Sequence, residues 1–292
     1  MIQCECVTIL TIPSVTTPTP SHAMPTRDLR LADPTSIMLE TLPLDILLYI
    51  IDLLAGGDYE NFKSLRILSQ ACKSMVPLCR KHLFSSLRLK GESNSERFSN
   101  LLSKNPDIAS YVRSLTYAFY YIPISGHELN IIDMLKQRSH LQSIRLSSLT
   151  YLDWNDFPES IRSSLVSLFQ LPTVTFLDIY SFKRFPAMAL SGCGNLIDLR
   201  LGHLKLAPPE ANQVISRSKI PTPVSLNIWT NTYGLATLLN SASLHAGDPL
   251  EIVDLSSLQK AGFNVDSRDG LDQVYELIKV TTRLEYFTLT GW

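Results

Sequence analysis

The sequence predicts an α+β protein: a small three-helix domain followed by an irregular αβ solenoid with a mainly parallel sheet. Three observations carry this expectation. An apolar run of helical length, LPLDILLYIIDLLA at 42–55, stands ahead of two shorter helical patterns. Beyond residue 83 a pattern of apolar-x-x-apolar-x-apolar recurs along the rest of the chain. Helix-like stretches at 161–169 and 271–278 lie between recurrences, as strand–helix units require.

The 292 residues are 45% hydrophobic and 18% charged, enough to bury a sizeable core. A net charge of -1 gives no electrostatic footprint for nucleic acid or an acidic membrane. The basic clusters Arg80-Lys81-His82 and Lys183-Arg184 are too short to alter that. Five cysteines, at 4, 6, 72, 79 and 193, are few, odd in number and unevenly spaced. They fit reduced thiols better than a secreted disulfide framework. MIQCECVTIL lacks the basic start of a signal peptide and carries Glu5 in its short apolar stretch. A cytoplasmic and/or nuclear location is expected.

Residues 1–38, rich in Pro, Ser and Thr with no apolar period, read as a disordered tail. The helical domain is expected over 39–90. Its first helix, 43–55, opens with Pro43 and Asp45, which suit a helix N-terminus, and stops at Gly56-Gly57. A membrane span needs ~20 mostly apolar residues, so this run of fourteen with two aspartates is too short. At ~100° per residue, Leu44, Leu47, Leu48, Ile51, Leu54 and Ala55 form one stripe. Ile46, Ile50 and Leu53 form a second stripe beside it, leaving Asp45, Tyr49 and Asp52 a narrow polar arc. One packing partner cannot cover both stripes. The second faces either another protein, as an amphipathic helix lies in a groove, or this chain's own repeats.

Two further helices follow from Phe62, Leu65, Leu68 and Cys72, and from Met75, Leu78, Cys79 and Leu83 with Ser74 as N-cap. Three helices in so few residues make a marginal core.

Eight short strands are then expected, with central residues Leu87, Leu115, Ile144, Leu177, Leu199, Leu226, Val253 and Phe287. A strand plus a helix or turn at a ~20–29-residue period is the leucine-rich-repeat signature. Here some steps are longer, and the usual Asn or Cys position is apolar: Leu149, Phe182, Leu204 and Leu258. The repeat domain, 91–292, is therefore expected to be irregular. It ends at LEYFTLTGW, inside a repeat strand, so either the gene product is truncated or a partner covers that strand.

The stretches LPLDILLYIIDLL, LRILSQACKSM and PLCRKHLFSSLRL resemble, in order and spacing, the F-box motif of fungal F-box proteins with degenerate leucine-rich repeats. VRSLTY, IRSSLVSLFQLPTVTFLDI and NLIDLRL are similar to the repeat region of the same group, so the resemblance covers about residues 40–292. It implies a non-enzymatic substrate-recognition subunit of an SCF-type ubiquitin ligase, joined to a cullin-RING ligase through a Skp-family adaptor. It adds Leu42, Pro43, Ala71, Cys72 and Met75 to Ile46, Ile50 and Leu53 as adaptor contacts. The third F-box segment departs from the family pattern, with Gln70-Ala71-Cys72-Lys73 and with Met75 where Trp or Phe is common, and the loop at 56–61 is long. The alternative is a leucine-rich-repeat binding module without an adaptor, whose F-box-like helices only cap the solenoid.

An unknown protein substrate is expected on the strands' exposed positions: Arg145, Asp178, Tyr180, Asp198, Arg200, Trp229, Asp254 and Tyr286. Neither nucleic acid nor membrane is an expected partner. No cofactor or metal is expected; Cys4-Glu5-Cys6 has poor zinc spacing and the histidines are scattered. Ser-Gly-Cys-Gly at 191–194 matches no P-loop or nucleophile elbow and reads as a turn before a strand. A hydrolase built on Cys193 is a third, weaker reading, with no His placed to serve it.

Overall fold

A computed structural model describes residues 42–55, 59–71, 74–90, 92–119, 125–138, 140–207, 220–229, 253–265 and 268–291. The chain divides into two compact units, Met1–Leu83 and Phe84–Trp292. The strand at Ser86–Lys90 thus belongs to the second unit, not to the helices as its sequence position suggested. Among the described residues the protein is α+β with one eight-stranded, all-parallel open sheet.

The first unit holds α1 (Leu44–Ala55), α2 (Tyr59–Ala71) and α3 (Met75–Leu83). Asp45 favours the start of α1 through the helix dipole, and Leu47 N–H donates to the Pro43 carbonyl at 3.1 Å. In α3 the basic residues Arg80, Lys81 and His82 occupy the last turn, where the dipole suits them. Lys81 and His82 also reach Asp52 of α1, at 3.4 and 3.0 Å. The Lys81 pair is solvent-accessible and contributes at most ~1 kcal/mol, whereas burial lowers the His82 pKa and disfavours a charged pair there. The fully buried core is small: Leu47, Ile51, Leu65, Met75 and Cys79. The expected tail, the Gly56-Gly57 stop and Cys72 lie outside the described residues.

The second unit contains β1 (Ser86–Lys90), α4 (Glu92–Lys104), β2 (Ser114–Phe119), α5 (Gly126–Arg138), β3 (Ser143–Asp153), α6 (Glu159–Phe169), β4 (Phe176–Pro186), β5 (Asp198–Ala207), β6 (Ser225–Trp229), β7 (Lys260–Asn264), α7 (Arg268–Val280) and β8 (Tyr286–Thr290). Each strand pairs with the next in sequence. The pairing brings Leu87, Leu115, Ile144, Leu177, Leu199, Leu226, Ala261 and Phe287 into one row across the sheet. Leu89, Tyr117, Leu146, Ile179, Leu201, Ile228, Phe263 and Leu289 form the next inward row. Strand side chains alternate faces, so these two rows point the same way, into the core that α4, α5 and α6 cover side by side.

One expected strand is displaced. The sequence reading centred the seventh strand on Val253, but the strand is Lys260–Asn264, centred on Ala261. Leu258, Ala261 and Phe263 repeat the same apolar spacing, and the small Ala261 gave too weak a signal to be chosen. Val253 is buried in the turn ahead of the strand, and Leu250 lies outside the described residues.

Three strands, β3 to β5, run longer than the rest because each turns a corner and continues. Tyr151, Ser181 and His203 hold left-handed backbone at these corners, with φ of 46°, 69° and 46°. Beyond them Leu152, Phe182 and Leu204 pair into a third inward row. Phe182 and Leu204 are buried, as apolar replacements for a polar ladder should be. Leu149 is instead 70% exposed: the register shift between Ser147 and Leu152 adds residues to the corner and hands the inward slot to Leu152. Phe182 packs edge-on to Phe119 and Trp154, with centroids at 5.9 and 6.2 Å, so aromatic rings fill the space that an asparagine ladder would occupy.

The Glu128 half of a capping box starts α5. Ser125 N–H donates to Glu128 Oε2 at 2.7 Å, and the Ser125 hydroxyl bonds the same carboxylate. Glu128 is buried beside Tyr117. Burial, then the charge and hydrogen bonding of Glu128, pushes the Tyr117 phenol well above its ordinary range.

Candidate functional site

Two surfaces stand out, one on each unit. On α1, Leu47 and Ile51 point into the small core while Leu54 and Ala55 pack at its margin. Leu42, Ile46 (43% exposed) and Leu53 (57% exposed) face solvent, and Ile50 is half-buried. At ~100° per residue Ile46, Tyr49, Ile50 and Leu53 occupy one continuous arc, and Leu42 lies in the bend just ahead of the helix. Tyr49, which the wheel assigned to the polar arc, extends the apolar stripe and is exposed. Leu44 was expected in the buried stripe but is exposed, because it lies in the first turn beyond the reach of the core.

The adaptor contacts implied by family resemblance divide. Pro43 and Ala71 are exposed. Met75 is buried among Leu47, Ile51, Leu65 and Cys79, so it supports the helices from within and offers no surface. On α2, Phe62 and Ile67 add exposed apolar side chains that the sequence reading did not assign to a site.

On the second unit the outward rows of β3 to β6 bring most of the expected substrate residues together. Arg145, Asp178, Arg200 and Asn227 form one row; Tyr180, Gly202 and Trp229 form the next. Arg145 Nε donates to Asp178 Oδ2 at 2.7 Å across β3 and β4. Arg200 donates to both carboxylate oxygens of Asp198, through Nη2 at 3.0 Å and Nε at 3.4 Å. Ser225 Oγ donates to Asp198 Oδ1 at 3.3 Å. Both guanidiniums lie over the Phe176 ring, Arg200 at 4.9 Å and Arg145 at 6.0 Å from its centroid.

The vertical order of these charges matters. Asp178 is 6% exposed, whereas the Arg145 side chain above it is 46% exposed. Burial lifts the Asp178 carboxyl above its ordinary range, against the pull of Arg145 and Arg200. Asp178 lies beneath and holds Arg145, while Asp198 and Arg200 pair side by side, both partly exposed.

Gly202 permits the neighbouring aromatic arrangement. A Cβ there would overlap the Tyr180 ring and lie 3.5 Å from the Trp229 ring. Without it, Tyr180 lies down on the β5 backbone, with Trp229 beside it and His203 edge-on at 5.0 Å. The result is an aromatic platform next to a charge-paired patch.

Two expected residues do not join it. Asp254 is not on a strand; its carboxylate accepts from Ser256 N–H at 2.9 Å in the turn before β7. Tyr286 is exposed on β8, two strands beyond Trp229, where Lys260 sits 5.6 Å from its ring centroid. Phe176 and Gly202 were missed by sequence reasoning. Strict alternation from Asp178 and Arg200 would have placed both on the outward face.

Cys193 is buried, its thiol lies 3.5 Å from the Ala189 carbonyl, and burial pushes its pKa up to about 12. A thiol in that state is a core side chain, not a nucleophile. Among the described residues no group of three or more His, Cys, Asp or Glu is placed to hold a metal ion, and no helix is long and apolar enough to cross a membrane. Comparison with known proteins finds no family model that matches the chain and no curated protein that matches it.

Proposed function

We propose that the protein is the substrate-recognition subunit of an SCF-type ubiquitin ligase. In this reading the first unit is an F-box that docks a Skp-family adaptor, and the second is a leucine-rich-repeat-like solenoid that recruits a protein substrate. The observation that carries the adaptor half is the exposed arc of α1. Ile46, Tyr49 and Leu53 lie in water, with Leu42 just ahead of them, while the helix buries only Leu47 and Ile51. An exposed apolar stripe of this kind on one helix is the geometry of a helix laid in a partner's groove. The one-after-another order of eight parallel strands supports the solenoid half, since repeat units stack only on their neighbours.

The test is co-purification with a Skp-family adaptor, comparing wild type with Ile46→Asp and Leu53→Asp. Both positions are exposed, so the variants should melt with the wild type while losing the adaptor. Equal adaptor recovery from all three proteins would leave a leucine-rich-repeat-like binding module that works without an adaptor.

A further inference from the structure

The outward face of β3 to β6 carries chemistry that narrows what it can recruit. The three outward rows of the sheet contain Arg88, Lys90, Arg145, Arg200 and Lys260 against Asp178 and Asp198, in a chain whose overall charge is -1. The acids are already engaged: Asp178 by Arg145, and Asp198 by Arg200 and Ser225. Arg145 donates through Nε alone, and among the described residues its terminal N–H groups have no hydrogen-bond partner. Carboxylates therefore hold two arginines in place on either side of β4, each with donors left over. That is a preorganised seat for an anionic oxygen pair.

The charge of the ligand follows from the whole face. Asp178 and Asp198 offset Arg145 and Arg200 charge for charge, but the five basic side chains of the outward rows outnumber the two acids, so an added negative charge is favoured there. A nucleic-acid track needs a run of unpaired basic groups, whereas Arg145 and Arg200 are each already held by a carboxylate. A dianionic phosphoryl group would face two carboxylates at close quarters. A single carboxylate fits best.

The second feature is the platform of Tyr180 on Gly202 with Trp229 beside it. It lies one outward row further along the strands and one strand over from the arginine pair. Strand geometry puts that separation at about 8 Å. An extended chain presents residues i and i+2 on one face at a similar distance. We propose that this face binds an extended peptide segment in which a carboxylate side chain stands two residues from an aromatic one. The acid sits between Arg145 and Arg200, and the aromatic ring stacks on Tyr180 against Trp229. This deepens, and rests on, the reading of the sheet face as the recruiting surface.

Selection of random extended peptides on the full chain, without any adaptor, tests it. Peptides enriched on wild type should carry Asp or Glu at a spacing of two from Phe, Tyr or Trp. By fluorescence anisotropy, a labelled Gly-Ser-Glu-Ser-Phe-Ser-Gly peptide should bind Arg145→Gln/Arg200→Gln about 10-fold more weakly than wild type, as loss of charge-assisted hydrogen bonds implies. Trp229→Ala should weaken it by a similar factor, and unchanged thermal melting of both variants keeps folding out of the comparison. Equal binding of a Lys-for-Glu peptide would overturn the proposal. So would tighter binding of a phosphoserine-for-Glu peptide or of a poly-dT oligonucleotide. Enrichment of another peptide class would overturn the ligand assignment but leave recruitment by this face standing. Enrichment of no peptide would sink both, whatever the adaptor experiment returns.

Discussion

The two units of this protein spend their apolar side chains in opposite ways. The helical unit completely buries Leu47, Ile51, Leu65, Met75 and Cys79, and leaves Leu44, Ile46, Tyr49, Leu53, Phe62 and Ile67 exposed. The sheet unit turns two apolar rows of every strand from β1 to β7 inward and sets paired aspartates and arginines, with a few aromatic rings, on the outward face. A unit that exposes more large apolar side chains than it buries is built to be covered. One whose exposed face mixes paired charges with a few aromatic rings is built to stay in water until a specific ligand arrives.

The sharpest way to break this contrast is to delete one large buried side chain from each unit. Phe182→Ala removes a ring that is 0% exposed and surrounded by Phe119, Trp154 and Phe157, and should cost about 3–5 kcal/mol. Spread over a large continuous core, that loss should lower the melting temperature without abolishing the cooperative sheet transition. Ile51→Ala should cost about 2–5 kcal/mol, comparable to all the stability a unit of this size commands. Hydrogen exchange should then show α1 to α3 unprotected while β2 to β5 keep their protection. If both variants lose protection only in the unit they touch and by equal amounts, the difference in core size has no thermodynamic meaning.

A smaller effect probes polar burial within the sheet unit. Glu128→Ala removes the carboxylate that serves Ser125 and leaves the Tyr117 hydroxyl without its charged neighbour. The expected loss is about 1–3 kcal/mol by urea unfolding, and Glu128→Gln, which keeps an acceptor, should recover part of it.

The smallest expected effect is a slope. Burial holds the Asp178 carboxyl above its unfolded value of about 3.9, so the folded state keeps this proton to higher pH than the unfolded state does. Its stabilising contribution is complete below the unfolded pKa, is lost as pH rises through the folded pKa, and is constant above that. Asp178→Asn should flatten this decline in the acid limb of a stability–pH profile. An unchanged slope would mean that Arg145 already cancels the effect of burial.

Sequence pattern located most of the sheet because its signal is redundant. Seven of the eight central residues read from apolar spacing, from Leu87 to Phe287 with Val253 excepted, occupy one row in the folded protein. The exception fails at Ala261, where the inward residue is too small to stand out from its neighbours. The outward face was partly legible for the same reason: alternation fixes which side a residue faces, and Arg145, Asp178, Tyr180, Arg200 and Trp229 follow from it. What alternation cannot convey is pairing across strands. The seating of Tyr180 on Gly202, and of two guanidiniums over Phe176, depends on register between segments some 20 to 30 residues apart. The helical wheel of α1 found the exposed stripe but overestimated the buried one at Leu44, since a wheel has no helix ends. The apolar pattern of α3 sets Met75 beside Cys79, and their shared burial agrees with that pattern and not with the contact role implied by the resemblance.

The strictly consecutive order of the strands carries a mechanical consequence. Every backbone ladder joins neighbours in sequence, so no strand is locked by one distant along the chain. Phe287 and Leu289 on β8 are exposed, whereas their row-mates Leu177 and Ile179 on β4 have no solvent contact. Opening should therefore spread as a zipper from the β8 edge and stall at the aromatic wall around Phe182. Pulled from its C-terminus, the sheet should yield in steps of one strand and its connection, with the largest force at the step that frees β4.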